Sequence, residues 1–320
     1  MLVDPRVAGL VVGYGADLVL GDPRRGHPVA AFGRAAARLE RAWWADSTSR
    51  GVGYAGVLVG GVGALAWGAS RAVRHSWVGE AALVAAGAFT VLGGRSLSRE
   101  GQVMSRLLRS GDLEGARTRL SHLCARDART LDLVEVARAS VESVAENTSD
   151  AVVAPLLWGA VAGLPGLLAY RAVNTLDAMV GYRSARYRRF GWAAARTDDV
   201  LNVVPARVAA ALTVLGAPLV GGRPGESLEV WRRDAQAHPS PNAGQVEAAF
   251  AGALGVQLGG VNVYEGAAED RGTLGTGRVV GVGDLDRAVR LSAWVGLGSV
   301  LVAAGLAQLL SRSGRGGARG

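Results

Sequence analysis

The chain has 320 residues, of which 49% are hydrophobic and only 19% charged, with a mean hydropathy of +0.22. That is the balance of a helical membrane protein, not of an ordinary soluble domain. All 35 basic residues are arginine and the formal charge is +8. They gather at the ends of apolar runs and in one compact cluster, which suits membrane orientation and anionic ligands and argues against a nucleic-acid partner. A lone cysteine, Cys124, excludes an internal disulfide and a cysteine-rich metal site. The lack of lysine excludes a GxxxxGKS/T phosphate loop.

Residues 7–20 form a short apolar run around Asp17; with Asp4 and Arg6 ahead of it and no small-residue cleavage site, it does not read as a signal peptide. A turn at Gly21–Asp22–Pro23 follows. Residues 29–44 predict an amphipathic helix with Arg34, Arg38 and Arg41 on one side, a pattern suited to the membrane surface. The stretch 51–70 is uncharged between Arg50 and Arg71, long enough to span a bilayer, and its many glycines suggest close helix packing. The run 81–94 is shorter and spans only if Trp77 and Val78 are recruited past Glu80.

Residues 97–146 are charged and periodic, and predict three soluble helices with Asp112 and Thr130 as N-caps, the last over about 131–147. On that last helix Glu135, Arg138, Glu142 and Glu146 form a polar stripe opposite Leu133, Val136, Val141 and Val144. The plain reading of the stripe is a solvated face with an Arg138–Glu142 pair.

Residues 151–170 carry no charge, yet Pro155, Gly159, Gly163, Pro165 and Gly166 interrupt them. A single crossing would place two arginine-rich segments on opposite sides of the membrane. A bent helical hairpin keeps both on one side, and broken backbone at membrane depth is tolerated where protein buries it. The hairpin is therefore the expected form. Beyond it lie an apolar run at 208–222 broken by Pro218 and a Gly-rich polar region at about 223–290. Within that region Ser240 is expected to cap a helix from Pro241 to about Val256. A second clean span at 291–311 and a basic tail at 312–320, expected to be disordered, complete the chain. No repeat or clean linker divides it. The fold class expected is all-α: one polytopic integral membrane domain with soluble helical loops.

Two polar blocks flank the uncharged stretch. Glu142, Glu146 and Asp150 recur at four-residue steps, and Asn174 and Asp177 lie three apart, so each set presents oxygens from one helix face. Mg²⁺ is held this way while substrate phosphates fill its other positions. The neighbouring arginines supply flat, bidentate donors for phosphate. The combination points to a magnesium–phosphate site; a buried structural network of the same residues is the alternative.

Four strings then carry a resemblance: GDPRRGHPV (21–29), SVAENTSDAVVAPLLW (143–158), NTLDAMVGYRSARYRRFGWAAARTDDVLNVVPAR (174–207), and SPNAG with ALGVQLGGVNVYEG (240–266). In this order they resemble the CobD/CbiB family, membrane enzymes of cobalamin biosynthesis known as adenosylcobinamide-phosphate synthases. The resemblance implies ATP-dependent amide formation between adenosylcobyric acid and (R)-1-amino-2-propanol O-phosphate. A carboxylate must be activated for this, most simply as an acyl phosphate, and phosphoryl transfer rests on positioning by Mg²⁺ and arginine.

On that basis Glu146, Asp150, Asp177, Asp198 and Asp199 are the expected metal ligands. Asp22, His27, Asn147 and Asn174 join them as catalytic candidates. Arg183, Arg186, Arg189, Arg196, Arg207, Asn242 and Asn262 form the expected phosphate- and substrate-binding set. The resemblance also implies a multi-pass protein of the cell membrane with its site facing the cytoplasm. Self-association, or assembly with later cobalamin enzymes, is left open. Two rival readings are a prenyltransferase-like Mg²⁺–pyrophosphate enzyme, suggested by Asn174, Asp177 and the Asp198–Asp199 pair, and a non-enzymatic corrinoid transporter or scaffold.

Overall fold

Local capping chemistry sets most helix boundaries. In the computed structural model, which describes residues 3–23, 26–124, 127–264 and 267–316 (side chains of 262–264, 267–268 and 314–316 excepted), Asp4 caps α1 (Pro5–Leu20), with Pro5 at the first helical position. His27 caps α2 (Pro28–Trp43) in the same way, its Nδ1 accepting from the Val29 amide at 3.2 Å. Ser47 precedes α3 (Thr48–Val73) and Ser76 precedes α4 (Trp77–Val91). Then come α5 (Gly94–Ser110), α6 (Leu113–Leu120, capped by Asp112 as expected) and α7 (Leu133–Thr148). The cap of α7 is Asp132, not Thr130: Asp132 and Glu135 each accept from the other's backbone amide, so the reciprocal box fixes the start two residues later.

A π-helical turn (Ser149–Val153) follows α7. The remaining elements are α8 (Ala154–Val180), α9 (Trp192–Leu201), α10 (Val203–Gly216), α11 (Pro224–Asp234), α12 (Ala243–Leu254), the strands β1 (Leu258–Tyr264) and β2 (Ala267–Leu274), and α13 (Val282–Gly316). Helix α12 begins at Ala243, not Pro241, although Ser240 Oγ does accept from the Ala243 amide at 3.2 Å. Helix α13 continues to Gly316, well into the tail expected to be disordered. Among the described residues the fold is all-α apart from the β1–β2 hairpin, an antiparallel pair with an irregular register between Gly259 and Val261, which occupies part of the expected polar loop. Among the described residues, five stretches are long and apolar enough to cross a membrane: Thr48–Val73, Trp77–Ser110, Leu133–Val180, Val203–Val220 and Val282–Ser313. This is a polytopic helical membrane architecture.

The chain divides into two compact units, each assembled from separate stretches of sequence: Met1–Gly93, Ala154–Asn202 and Val300–Gly320 in the first, Gly94–Val153 and Val203–Ser299 in the second. In the first, α1 and α4 pack through small residues: a Cβ on Gly9 would lie 2.6 Å from Val84 Cβ, and one on Gly13 2.5 Å from Ala88 Cβ. Ala36, Tyr54, Leu176, Val180, Phe190 and Ala194 form a core, with the Tyr54 and Phe190 rings 5.0 Å apart.

The expected hairpin is present in α8. Gly163 has φ 61° and ψ −143°, a conformation that L side chains rarely adopt. The chain doubles back there: a Cβ on Gly159 would lie 2.9 Å from the Leu167 side chain, and one on Gly166 2.1 Å from the Trp158 carbonyl. On a straight helix, residues eight apart are separated by about 12 Å. Arg6 Nη1 donates to the carbonyls of Ala160 and Val161 at 3.0 and 3.2 Å, satisfying acceptors that the reversal takes from the helix ladder. Gly163→Ala is expected to cost about 1–3 kcal/mol through backbone strain. The check is the melting temperature of the detergent-solubilised variant; an unchanged value would count against a strained reversal.

In the second unit α10, α11 and α12 pack together, and Ser227 Oγ donates to the Ala249 carbonyl at 2.8 Å. Gly216 lies against Trp294, where a Cβ would sit 2.2 Å from the indole Cδ1. Thr148 Oγ1 and Ser292 Oγ lie 2.6 Å apart and link α7 to α13 through buried hydroxyls.

Candidate functional site

The C-terminal half of α8 presents Asn174 and Asp177 one helical turn apart, and α9 brings Asp198 to Asn174. Asn174 Nδ2 donates to Asp198 Oδ1 at 3.3 Å, and Asp198 Oδ2 accepts from Asn202 Nδ2 at 2.9 Å. Buried Tyr170 donates through its hydroxyl to Asn202 Oδ1 at 2.9 Å. A chain of side chains thus fixes one face of the Asp198 carboxylate. Arg171 Nη1 donates to Asn174 Oδ1 at 3.3 Å, which orients the amide. Asp177 is half-buried beside Gly181, where a Cβ would fall 1.9 Å from Asp177 Oδ1, so this carboxylate occupies the space of the missing side chain. Asp199 points elsewhere and pairs with Arg196 at 3.1 Å.

The arginines of the segment between α8 and α9 divide. Arg183 is exposed. Arg186 Nη2 donates to Glu40 Oε1 at 3.0 Å and its guanidinium stacks over Trp44 (4.6 Å) and Tyr187 (5.3 Å). The Tyr187 hydroxyl donates to the same Glu40 oxygen at 2.9 Å. Arg189 lies 3.6 Å from Asp46. Arg186 and Arg189 therefore have carboxylate partners within the protein. At the start of α2, His27 Nε2 lies 3.4 Å from Asp22 Oδ1 while Nδ1 caps the helix, so the proton on the neutral ring sits toward Asp22.

In the second unit Glu146 and Asp150 are half-buried, Asn147 Nδ2 donates back to the Ser143 carbonyl at 2.8 Å, and exposed Arg207 donates to the Val203 carbonyl at 2.8 Å. Asn242 is buried; the Asn262 side chain lies outside the described residues. Among the described residues no three His, Cys, Asp or Glu side chains gather as a metal site. The five expected ligands fall in both units: Glu146 and Asp150 in the second, Asp177, Asp198 and Asp199 in the first.

The polar stripe on α7 is not a solvated face. Glu142 is 2% exposed; its Oε1 accepts from the Gly259 amide at 2.8 Å and from Arg138 Nη1 at 3.1 Å, and Arg138 also donates to the Gly259 carbonyl. Helix α7 thereby grips β1 at Gly259–Gly260, two residues at φ 82° and 86°.

The second unit also buries His238, Glu247 and Arg271. His238 Nδ1 accepts from the Ser240 amide at 3.0 Å. Its Nε2 faces Glu247 Oε1 at 3.7 Å, with both side chains fully buried, and Arg271 Nη1 is 3.8 Å from the same oxygen. Burial above all, and then the charge of Arg271, push the His238 pKa down to about 4. Because the folded state binds this proton more weakly than the unfolded chain, stability is full above about pH 6.5 and is lost progressively as pH falls toward 4. The loss is about 3 kcal/mol. His238→Gln removes this component, and comparing denaturation midpoints of both proteins at pH 4.5 and 7 checks it; parallel pH profiles would exclude it.

Sequence reasoning missed Glu40, His238, Glu247 and Arg271. Glu40 had a signal, since it is the lone acid among the arginines of α2. His238 stands two residues before the SPNAG string, but nothing local links it to Glu247 or Arg271.

A family model described as CobD/Cbib protein matches residues 10–292. The chain belongs to the CobD/CbiB family. Among CobD/CbiB relatives, the cobalamin biosynthesis protein CobD of Mycobacterium tuberculosis (strain ATCC 25618 / H37Rv) is 52% identical over 298 residues, covering 93% of this chain and 95% of the relative. The proteins of the same name from Geobacter metallireducens and Stutzerimonas stutzeri are 46% and 44% identical, covering 81% and 88% of this chain and 83% and 91% of the relatives. No solved structure matches. The CobD/CbiB match takes in the Asn174–Asp198 contact of the first unit and the Glu142–Gly259 contact of the second.

Proposed function

We propose that this chain is an enzyme of cobalamin biosynthesis, an acid–amine ligase that joins adenosylcobyric acid to (R)-1-amino-2-propanol O-phosphate with ATP. The corrinoid carboxylate attacks the γ-phosphorus of ATP, giving an acyl phosphate and ADP. The amine then attacks the acyl carbon, loses a proton and expels phosphate, leaving the amide of adenosylcobinamide phosphate. The observation that carries this reading is the contact of Asn174 with Asp198, which joins a carboxylate and an amide from two helices beside the arginine segment 183–196. The family and the printed names of its relatives supply the pathway.

The donor set suits Mg²⁺: Asp177 and Asp198 are hard oxygen ligands, and Mg²⁺ needs only one or two carboxylates when phosphates and water complete its shell. Those two residues of the first unit would hold it. Bound there, the ion would offset charge on the transferring phosphoryl group. Exposed Arg183, and Arg196 if released from Asp199, would bind phosphate oxygens through paired N–H donors. The Tyr170–Asn202–Asp198 chain holds its carboxylate in one orientation before substrate arrives. Lysine-free and arginine-rich, the site grips anions by fork geometry. The arginine excess favours a cytoplasmic face of the cell membrane for it.

The test is a corrinoid-dependent ATPase assay on purified protein with product analysis. Equimolar ADP and adenosylcobinamide phosphate support the ligase. Pyrophosphate release from a prenyl donor would replace it with a prenyltransferase, and no turnover of either kind would leave a transporter or scaffold.

A further inference from the structure

Away from these residues, the second unit contains a cavity of about 440 Å³ between α5 and the first turns of α13. Gln102 and Arg109, two turns apart on α5, line one wall; Asp286, Arg287 and Arg290 on α13 line the other. We propose that this cavity is a binding site for a phosphate-bearing anion.

The charges favour it. Arg109 pairs with Asp286, while Asp284 is shared by Arg278 at 2.6 Å and Arg287 at 2.8 Å. The lining itself carries three guanidinium groups (Arg109, Arg287 and Arg290) against one carboxylate (Asp286), which leaves a positive excess at the cavity. Arg287 also donates to the carbonyls of Val220 and Leu254, so it is fixed as part of the wall. Arg290 is exposed, lines the cavity and makes no hydrogen bond or ion pair among the described residues, so its five donors are available to a ligand. Arg109, which lines the cavity and is largely exposed, can exchange Asp286 for an incoming phosphate oxygen. The α13 backbone amides near Gly283 add the positive end of a 35-residue helix. A volume of this size accommodates a nucleotide as readily as an inorganic anion.

The phosphate has two sources. Arg290 immediately precedes the apolar run of α13, within the candidate span Val282–Ser313, which places it where a lipid headgroup would lie. A soluble nucleotide would enter from water. The site stands whichever reaction the protein catalyses.

The experiment uses the full chain in phosphatidylcholine nanodiscs, as wild type, Arg290→Ala and Arg290→Lys, with ATP and inorganic pyrophosphate as probes in calorimetric titration. A parallel preparation in phosphatidylglycerol is read by retained lipid in native mass spectrometry. If a soluble phosphate is the ligand, ATP or pyrophosphate affinity falls about tenfold in Arg290→Ala and less in Arg290→Lys. If a lipid is the ligand, soluble probes behave alike in all three proteins, and retained phosphatidylglycerol drops in Arg290→Ala. Equal ATP, pyrophosphate and lipid binding in wild type and Arg290→Ala overturns the site. That last result leaves the ligase reading standing if ADP and amide still form, so the two ideas fail separately.

Discussion

Asp177→Ala is expected to lower amide synthesis by about a thousandfold, as loss of a group that acts on transition-state charge does, while the protein accumulates in the membrane at its normal level. The two outcomes separate because of where Asp177 sits. It is half-buried beside Gly181, and its truncation opens no space in the Tyr54–Phe190 core, so the stability loss should stay below about 1 kcal/mol. Asp177→Asn distinguishes charge from shape. If the carboxylate neutralises or holds a cation, the amide fails nearly as badly as alanine; if it merely packs against Gly181, the amide restores turnover. Turnover near that of the wild type in Asp177→Ala would remove this residue from the chemistry.

Glu142→Ala should act in the opposite sense, destabilising the fold before any catalytic effect is read. Removing this carboxylate takes the Glu142 ion pair from the Arg138 guanidinium, which is 17% exposed, and the acceptor from the Gly259 amide. Breaking one side of a buried pair costs about 3–5 kcal/mol. The β1–β2 hairpin loses its anchor on α7 at the same time. The double variant Glu142→Leu with Arg138→Met should recover much of the loss, since the stranded charge is then gone. Thermal or chemical denaturation in detergent measures all of them. A single-variant loss below about 1 kcal/mol would mean that Glu142 is effectively solvated.

These two carboxylates also show what the sequence could and could not disclose. Capping, turn and span signals are local, so the amphipathic helix after the Gly21–Pro23 turn, the Asp112 cap, the spans and the Gly163 reversal were legible from neighbours a few residues away. Asn174, Asp177 and Asp198 were marked by spacing and charge type, and α8 and α9 do bring Asn174 and Asp198 together. Glu142 had the same periodic signature as a solvated stripe: periodicity identifies a face, not what covers it. Its cover is a strand 117 residues away. The β1–β2 hairpin was hidden because Gly259 and Gly260 interrupt its alternation. His238, Glu247 and Arg271 converge from a loop, a helix and a strand, and only the tertiary fold makes them neighbours.

The doubling-back of α8 bears on how the protein enters its membrane. Nothing between Ala154 and Tyr170 is ionised, and the Gly163 bend has no hydrophilic linker. Both arms can leave the translocon sideways as one U-shaped insert, with no charged peptide to export. The freed carbonyls at Ala160 and Val161 would meet hydrocarbon but for Arg6, and α1, which carries it, is synthesised before α8.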